Sequence, residues 1–406
     1  MNAAVVTGMG ALAPNGFGVE QYWTALLKGV SGIGPITRFD PAGYPTRLAG
    51  EVSGFDASAH LPARLLPQTD HMTRMALLAS DWALADAGVD PVTVPEFDMG
   101  VVTASASGGF EFGQRELEKL WRHGSQHVSA YQSFAWFYAV NTGQISIRHG
   151  MRGPSGVLVA EQAGGLDAIA QARRHVRRGT RLVMTGGVDS SLCPWGLVAQ
   201  LPSGRLSPVD DPETAYLPFD ERACGHVPGE GGAILVVEDA ASAARRGARA
   251  YGEIAGWGAA LDPAGPVTSD GLCRAIRSAL ADASVDPAEV DAVFADAAGM
   301  PELDQAETSA LTEVFGARAV PVTAPKTTIG RLYSGGAPLD VVAALLSIRD
   351  GLLPPTVGTS RIACADLDLV LDTPRALSAH TVLILARGYG GFNSALVVRA
   401  HSGGSR

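Results

Sequence analysis

The chain has 406 residues, of which 46% are hydrophobic and 18% are charged, so it can bury a large core and is too apolar to be disordered. A formal net charge of -10 argues against nucleic acid or an anionic membrane as a partner. The sequence has no basic segment followed by an apolar one at its start and no run of about 18 apolar residues, so we expect neither a signal peptide nor a membrane span.

The chain predicts strands that alternate with helices. Residues 3–10 are a short apolar segment that ends in glycines, and residues 71–88 have the spacing of an amphipathic helix that stops at Gly88. The other predicted strands and helices of the first half lie at 99–109, 156–161, 163–179 and 181–191. Those of the second half lie at 290–299, 319–326, 339–351 and 381–399, the last as two strands joined by a glycine turn. Such alternation favours parallel pairing in a layered α/β fold.

The four cysteines are Cys193, Cys224, Cys273 and Cys364. They are far apart in the sequence, and none lies in a metal-ligand spacing. We therefore expect reduced thiols, a cytoplasmic protein and no metal site.

Three pairs of segments indicate an internal duplication. The pairs are 83–91 with 279–287 (ALADAGVDP and ALADASVDP), the segments that begin at Val6 and Ile254 (VTGMGA and IAGWGA), and 164–167 with 335–340 (GGLD and GGAPLD). Their offsets differ, which excludes a solenoid with a fixed short period. We predict two long halves, 1–250 and 251–406, with extra loop length in the first.

Four segments resemble the thiolase-like ketosynthase family. They are VVTGMGALAPNG near the start, LPFDERACGHVPGEGGAILVVE at 217–238, KTTIGRLYSGGAP at 326–338 and RGYGGFNSALVV near the end. The second resembles the family's PFD…GEGAG segment and the third its KxxIGHxxGAAG segment. These matches are in order and cover nearly the whole chain. The resemblance implies an α/β fold of the thiolase-like type, a duplicated αβαβα layered sandwich.

The same resemblance implies that the catalytic side chains of an active ketosynthase are replaced. That enzyme needs a thiolate at a helix N-terminus and two histidines that stabilise the enolate of a decarboxylated malonyl thioester. By resemblance the nucleophile position falls on Gln162, and the histidine positions fall on Ala298 and Arg331. A carboxamide is a poor nucleophile, alanine has no donor, and arginine is permanently charged. We therefore expect no catalytic residue in this chain and no condensation by it alone.

Both polar replacements need surroundings that suit them. We expect Gln162 to be a buried residue that fills the nucleophile's space by hydrogen bonding. A buried guanidinium needs a carboxylate, so we expect Arg331 to pair with Glu161, Asp304 or another acidic residue.

Two kinds of ketosynthase carry glutamine in place of the cysteine. One is the chain-length factor, or ketosynthase beta subunit, of type II aromatic polyketide synthases in antibiotic biosynthesis. VAEQAGG and residues 105–121 (SASGGFEFGQRELEKLW) are similar to it. It implies a heterodimer with a ketosynthase alpha subunit, which together form an acyltransferase complex, and a tunnel at the interface for the growing poly-beta-keto chain. An acyl carrier protein would bring malonyl units on its phosphopantetheine, and this chain would bind no cofactor itself.

The other kind is a priming ketosynthase that decarboxylates malonyl-ACP to an acetyl starter. That reaction still needs a stabilised enolate, and such domains keep the histidine pair. Ala298 and Arg331 therefore favour the chain-length factor.

The resemblance also implies residues that set chain length. Phe110, Gly113 and Leu117 are spaced i, i+3 and i+7, which puts them on one helical face, and bulk on this face limits the product in that family. Glycine inside a helix costs about 1 kcal/mol relative to alanine, so we expect Gly113 to leave space for a relatively long polyketide. The alternative is that it permits close backbone contact. In the aromatic stretch 131–144, Phe134, Trp136, Phe137 and Tyr138 predict either an interface and tunnel wall or ordinary core packing, and we expect only Phe134 in the tunnel.

A basic cluster lies at the end of the predicted helix 163–179. Its members are Arg173, Arg174, His175, Arg177 and Arg178. Cations at this end complement the helix dipole. They predict either a solvated helix end or a contact with an acidic carrier protein.

Overall fold

The structure is a computed structural model, and it describes residues 3–401. In that range the strands are β1 Ala4–Ala13, β2 Gly16–Phe17, β3 Ile33–Pro35, β4 Leu48–Gly50, β5 Met99–Ala104, β6 Ser155–Leu158, β7 Leu182–Asp189, β8 Gly231–Asp239, β9 Gly252–Leu261, β10 Ala292–Phe294, β11 Pro321–Thr323, β12 Leu352–Leu353, β13 Asp368–Leu369, β14 Arg375–Ala376, β15 Thr381–Gly388 and β16 Phe392–Arg399. The α-helices are α1 Val19–Leu27, α2 His71–Asp86, α3 Phe110–His123, α4 Gln132–Ala135, α5 Val140–His149, α6 Glu161–Arg177, α7 Pro194–Gln200, α8 Ala240–Arg245, α9 Asp270–Ala283, α10 Pro301–Phe315 and α11 Gly336–Asp350. Short 3-10 helices lie at Ala57–Ala59, Ala63–Gln68, Pro91–Thr93, Glu96–Asp98, Ser125–His127, Leu201–Ser203, Pro287–Glu289, Pro325–Thr328 and Tyr333–Gly335.

The two halves of the chain repeat one pattern of strand pairing. The order is β6-β5-β7-β8-β1 in the first half and β11-β10-β15-β16-β9 in the second. In both orders the first two neighbouring pairs are parallel and the last two are antiparallel. A short antiparallel pairing of β1 with β9 joins the half-sheets. The duplication predicted from the sequence is confirmed.

Helices separate and cover the two half-sheets. Helices α6 and α11 pack against each other in the middle and contact strands of both halves. Helices α2 and α5 cover the first half-sheet, and α9 covers the second with α10 beside it. Large hydrophobic cores fill the middle and both outer layers. This is the expected thiolase-like αβαβα sandwich.

The repeated segments occupy equivalent places in the two halves. VTGMGA lies in β1 and IAGWGA in β9, and the nine-residue match lies at the ends of α2 and α9. A Cβ on Gly10 would lie 2.0 Å from the carbonyl oxygen of Ala79, and one on Gly258 would lie 2.3 Å from that of Ala275. Each glycine therefore lets a covering helix lie directly on its strand.

The boundary between residues 250 and 251 falls in the loop between α8 and β9. Because one sheet and the central core run through both halves, the two ranges stay a prediction. Among the helices of residues 3–401, none has the length and apolar content that crossing a bilayer requires.

Candidate functional site

The site lies where strand ends and one turn meet the start of α6. Asp189, the last residue of β7, accepts hydrogen bonds from the backbone N–H groups of Ala106, at 2.9 Å, and Ser334, at 3.1 Å. The turn between β15 and β16 reaches α6, because the N–H of Tyr389 donates to the carboxylate of Glu161. The topology thus brings residues from both halves to one point.

Gln162 is the second residue of α6 and is fully buried. Neither its Oε1 nor its Nε2 has a hydrogen-bond partner in the described part of the chain. Its amide instead packs against Gly336, where an added Cβ would lie 3.1 Å from Oε1. The expected filling of this space is observed, but the expected hydrogen bonding of Gln162 is wrong.

Arg331 is buried and pairs with Asp296. Its Nη2 donates to the two carboxylate oxygens of Asp296 at 3.0 and 3.2 Å, and its Nη1 donates to the carbonyl of the same residue at 3.3 Å. The carbonyl of Arg387 accepts a further bond from Nη2. The partner is therefore an acidic residue other than the two named, Glu161 and Asp304. Asp304 instead accepts from the backbone N–H groups of Phe219 and Gly299.

Each residue of this pair stabilises the charged form of the other. Burial by itself raises the pKa of Asp296, but the positive charge of Arg331, followed by that of Lys326, brings this pKa below its usual range. Burial disfavours the charge of Arg331, yet Asp296 and then Glu161 raise the pKa of the guanidinium above its usual range. Both groups are charged at neutral pH and neutralise each other.

The assignment of the first histidine position to Ala298 needs correction. Ala298 is buried and presents only a methyl group, whereas the side chain that meets Arg331 from the same loop is that of Asp296. The sequence reasoning missed Asp296, although it is the charged residue of the ADAAG segment. The role of Asp296 follows only from its contact with Arg331, which lies in a distant motif.

The histidine beside the ion pair is held neutral by its surroundings. His226 lines the site, and burial, followed by the charges of Arg331 and Arg205, lowers its pKa to about 3. Within residues 3–401, no cluster of histidine, cysteine and acidic side chains could hold a metal ion.

Two cavities adjoin the site. The first has a volume of about 570 Å3 and contains Asp296 and Arg331 in its wall. The second has a volume of about 320 Å3 and is lined by Phe110 and Tyr333, among others. Neither wall contains Gln162. The amide of Gln162 is therefore outside both cavities.

Two of the four predicted tunnel residues come together around Trp195. The ring of Phe110 stacks on Trp195, with centroids 4.7 Å apart and planes inclined by 10°. A Cβ on Gly113 would lie 2.9 Å from the same indole. The expectation that Gly113 leaves open space is therefore wrong within this chain, because Trp195 fills that space. The close contact that the glycine permits is with a side chain and not with backbone.

Leu117 and Phe134 lie away from this cluster. Leu117 is 36% exposed on α3, and Phe134 is 37% exposed on α4. Phe134 lines a separate cavity of about 610 Å3, together with Val140 and Ile147 of α5. Sequence reasoning missed Trp195. Its backbone N–H donates to Oε1 of Gln114 at 2.8 Å, and this bond connects α7 to α3.

The basic cluster at the end of α6 is only partly free. Arg173 is buried and pairs with Asp282 of α9, and the guanidinium of Arg174 lies 4.5 Å from the ring centroid of Trp257. These two arginines hold the two halves together. Of the five members only Arg173 is buried, and Arg174 and Arg178 are exposed at the solvated helix end.

Comparison with known proteins agrees with this geometry. Residues 1–243 match the family described as "Beta-ketoacyl synthase, N-terminal domain", and residues 251–360 match "Beta-ketoacyl synthase, C-terminal domain". The chain is 64% identical, over 98% of both sequences, to the tetracenomycin polyketide synthase ketoacyl synthase beta subunit of Streptomyces glaucescens. It is 60% identical, again over 98% of both, to the actinorhodin polyketide putative beta-ketoacyl synthase 2 of Streptomyces coelicolor. The solved structure "The ishigamide ketosynthase/chain length factor" superposes with a TM-score of 0.91 at 27% identity, over 99% of this chain and 100% of that one.

The ion pair predicts a pH-dependent effect of Arg331→Met. In the unsubstituted chain the folded pKa of Asp296 is depressed, so the pair contributes stability above the unfolded pKa and loses it as pH falls through the folded value. Without the guanidinium, Asp296 is a buried unpaired charge, and we expect a loss of about 3–5 kcal/mol at pH 7. The loss should shrink toward pH 4, where the carboxyl of the variant is protonated. Denaturant unfolding at several pH values measures this.

The control is the double variant Asp296→Asn/Arg331→Met, whose destabilisation should not change with pH. An equal loss for Arg331→Met at pH 7 and pH 4 would contradict the ion-pair account.

The unpaired amide predicts the effect of Gln162→Met. Methionine has a similar volume and no polar atoms, so it removes two buried groups that have no partner. We expect the free energy of unfolding to rise by about 1 kcal/mol, whereas Gln162→Ala should lower it by leaving a cavity. Thermal unfolding of the three proteins measures this. A clear loss of stability in Gln162→Met would show that the amide is bonded after all.

Proposed function

Since the chain belongs to the beta-ketoacyl synthase family, we propose that it is the non-catalytic chain-length factor of a type II polyketide synthase. The observation that carries this proposal is the replacement of the catalytic groups. A buried amide lies at the start of α6, and an ion pair of Asp296 with Arg331 lies beside it. The cysteine and histidines for condensation are supplied by a ketosynthase alpha subunit.

The relatives support this assignment. A protein that is 64% identical along the whole chain is named a ketoacyl synthase beta subunit of the tetracenomycin polyketide synthase. Another relative, at 60%, belongs to the actinorhodin polyketide pathway by name. Both names contain a polyketide antibiotic, so we propose the same kind of biosynthesis for this chain.

An apolar surface suits the alpha subunit as a partner. Four neighbouring aromatic side chains are 37–50% exposed, namely Phe134, Trp136, Phe137 and Tyr138. Exposed Ile147 on α5 lines the same cavity as Phe134 and Phe137 and adds to this area. Aromatic residues are enriched in protein interfaces, where burial of their rings contributes much of the binding energy. We place the heterodimer contact here, as the aromatic stretch 131–144 predicted.

The stacked pair Phe110–Trp195 is the proposed end of the polyketide tunnel. It lies between Gly113 and the second cavity, and both rings are only partly buried. A poly-beta-keto chain that enters from the interface would stop at this pair. Leu117 and Phe134 would touch the chain nearer the interface, where the partner covers them.

The acyl carrier protein contacts the alpha subunit when it brings malonyl units to the heterodimer. A phosphopantetheine-bound malonyl unit needs a thiolate and an enolate stabiliser, and this chain offers neither. We propose that the chain holds no cofactor of its own and that the acyl carrier protein delivers to the alpha subunit. The cytoplasmic location stays a prediction.

A priming decarboxylase is not favoured. Its enolate would need free hydrogen-bond donors, but both Nη atoms of Arg331 already donate, Nη2 to the Asp296 carboxylate and the carbonyl of Arg387, and Nη1 to the carbonyl of Asp296. The Asp296 carboxylate would also repel an enolate in the same place. The geometry therefore opposes the charge that such a reaction develops.

Trp195→Ala should lengthen the polyketide made by the reconstituted pair. Removal of the indole opens the space next to Gly113 and removes the stacking partner of Phe110. Gly113→Phe should act in the opposite direction, because its ring must displace Trp195 into the chain's path. Mass spectrometry of the products with malonyl-loaded carrier protein measures the length.

Trp121→Ala is the matched control, because Trp121 is 82% exposed and lies outside the cavity at Phe110. It should leave product length unchanged even if it weakens the pair. Unchanged length in Trp195→Ala and Gly113→Phe would contradict the proposed tunnel end.

A further inference from the structure

The turn Tyr389–Gly391, which joins β15 to β16, forms part of the wall of the first cavity. Gly390 and Gly391 have φ angles of 90° and 92°, in the left-handed region that favours glycine. Such a turn is able to move easily unless other groups hold it. In this chain several groups do.

Charged side chains bond to the first residue of this turn and to the end of β15 before it. The N–H of Tyr389 donates to the Glu161 carboxylate, and the N–H of Arg387 donates to Asp296 at 2.8 Å. Arg331 donates to the carbonyl of Arg387. The residues at and next to the replaced catalytic positions therefore tie down the strand end that leads into the turn.

The far end of the turn is anchored as well. The carbonyl of Gly391 accepts from the N–H of Asp262 at 2.8 Å and from Nδ2 of Asn393 at 3.0 Å. Asn393 also donates to the Asp262 carboxylate at 2.8 Å. Both ends of the turn are thus fixed, the first by the bond of Tyr389 to Glu161 and the second by the bonds to Gly391.

Glu161 has an unfavourable backbone conformation at the place from which its side chain reaches the turn. Its φ is 50°, although it has a side chain, and it is the first residue of α6. Residues with a Cβ keep such a conformation only where their surroundings impose it. The bond to Tyr389 and the nearby charge of Arg331 provide these surroundings.

The same residues separate the two cavities. Glu161, Arg205, His226 and Tyr389 are the residues that line both. The guanidinium of Arg205 lies 4.9 Å from the ring centroid of Tyr389, which is a cation–π distance. A partition of one carboxylate, one guanidinium and two rings thus lies between the ion pair and the cavity at Phe110.

We propose that Glu161, Arg205 and Tyr389 form a latch that closes the replaced catalytic site to a thioester-bearing pantetheine arm. An arm that enters the first cavity meets this wall and does not reach Gln162, which is fully buried and lines neither cavity. The latch also keeps such an arm out of the cavity at Phe110, which the polyketide would use. This last consequence rests on the proposed function, whereas closure of the site does not.

A thiol at the nucleophile position reports whether the latch is closed. The Gln162→Cys variant, in complex with the ketosynthase subunit, is treated with iodoacetamide and separately with chloroacetyl-pantetheine. Peptide mass spectrometry then gives the labelling rate at each cysteine of this chain. Cys224 is exposed and serves as the internal positive control, whereas Cys193, Cys273 and Cys364 are buried.

With the latch intact, we expect the Gln162→Cys thiol to be labelled at least about tenfold more slowly than Cys224 by both probes. Adding Glu161→Ala removes the acceptor of the Tyr389 N–H and should speed labelling at position 162 about tenfold or more. Adding Glu161→Gln keeps an acceptor oxygen and should leave labelling slow. Cys224 should react equally in all three backgrounds.

Two results would overturn the latch. One is labelling of the Gln162→Cys thiol by chloroacetyl-pantetheine as fast as Cys224 while Glu161 is present. The other is no change on adding Glu161→Ala. Hydrogen exchange of residues 386–393 in the unsubstituted complex needs no variant at all. Slow exchange of the Tyr389 amide supports the latch, and exchange at the rate of an open loop contradicts it.

This outcome is separable from the proposed function. If the thiol at position 162 is labelled slowly but substitutions at Trp195 and Gly113 do not change product length, the latch is supported and the chain-length role is contradicted. An open latch with normal length control would do the reverse.

Discussion

The buried ion pair of Asp296 with Arg331 is the interaction on which the rest of the site depends. It takes up donors of a buried guanidinium, and it holds Arg387 at the start of the β15–β16 turn. Taking both charges out of water is unfavourable unless they stay together, so neither residue is free to act in chemistry. The role of the pair is therefore structural.

The duplicated fold explains why these residues meet. Asp296 follows β10 and Arg331 precedes α11, both in the second half, whereas Gln162 is in the first turn of α6, in the first half. Helices α6 and α11 pack against each other between the half-sheets, which places their first turns together. In this chain the same framework holds an amide and an ion pair, and it positions Phe110 and Trp195 beside them.

Much of the fold was predictable because it is encoded locally. Alternating apolar segments indicated the strands and helices, and the repeated glycines of β1 and β9 indicated the duplication. The resemblance to the family was also visible, since Gln162 and Arg331 lie within or beside long motifs. The partners of these residues were not predictable. Asp296 meets Arg331 and Trp195 fills the space beside Gly113 only after segments that are distant in the sequence have folded together. Sequence spacing says nothing about such contacts, and so the open space expected at Gly113 and the hydrogen bonds expected for Gln162 were wrong.

The central claim is that this chain has no condensing or decarboxylating chemistry of its own and acts through its partner. The most direct measurement is mass spectrometry of malonyl-loaded carrier protein incubated with this chain alone, with the ketosynthase alpha subunit alone and with the pair. The account predicts that polyketide appears only with the pair, and that this chain alone forms no acetyl-carrier protein above the buffer background. Formation of acetyl-carrier protein by this chain alone, with loss of that activity in Gln162→Ala, would contradict the account and identify a priming decarboxylase.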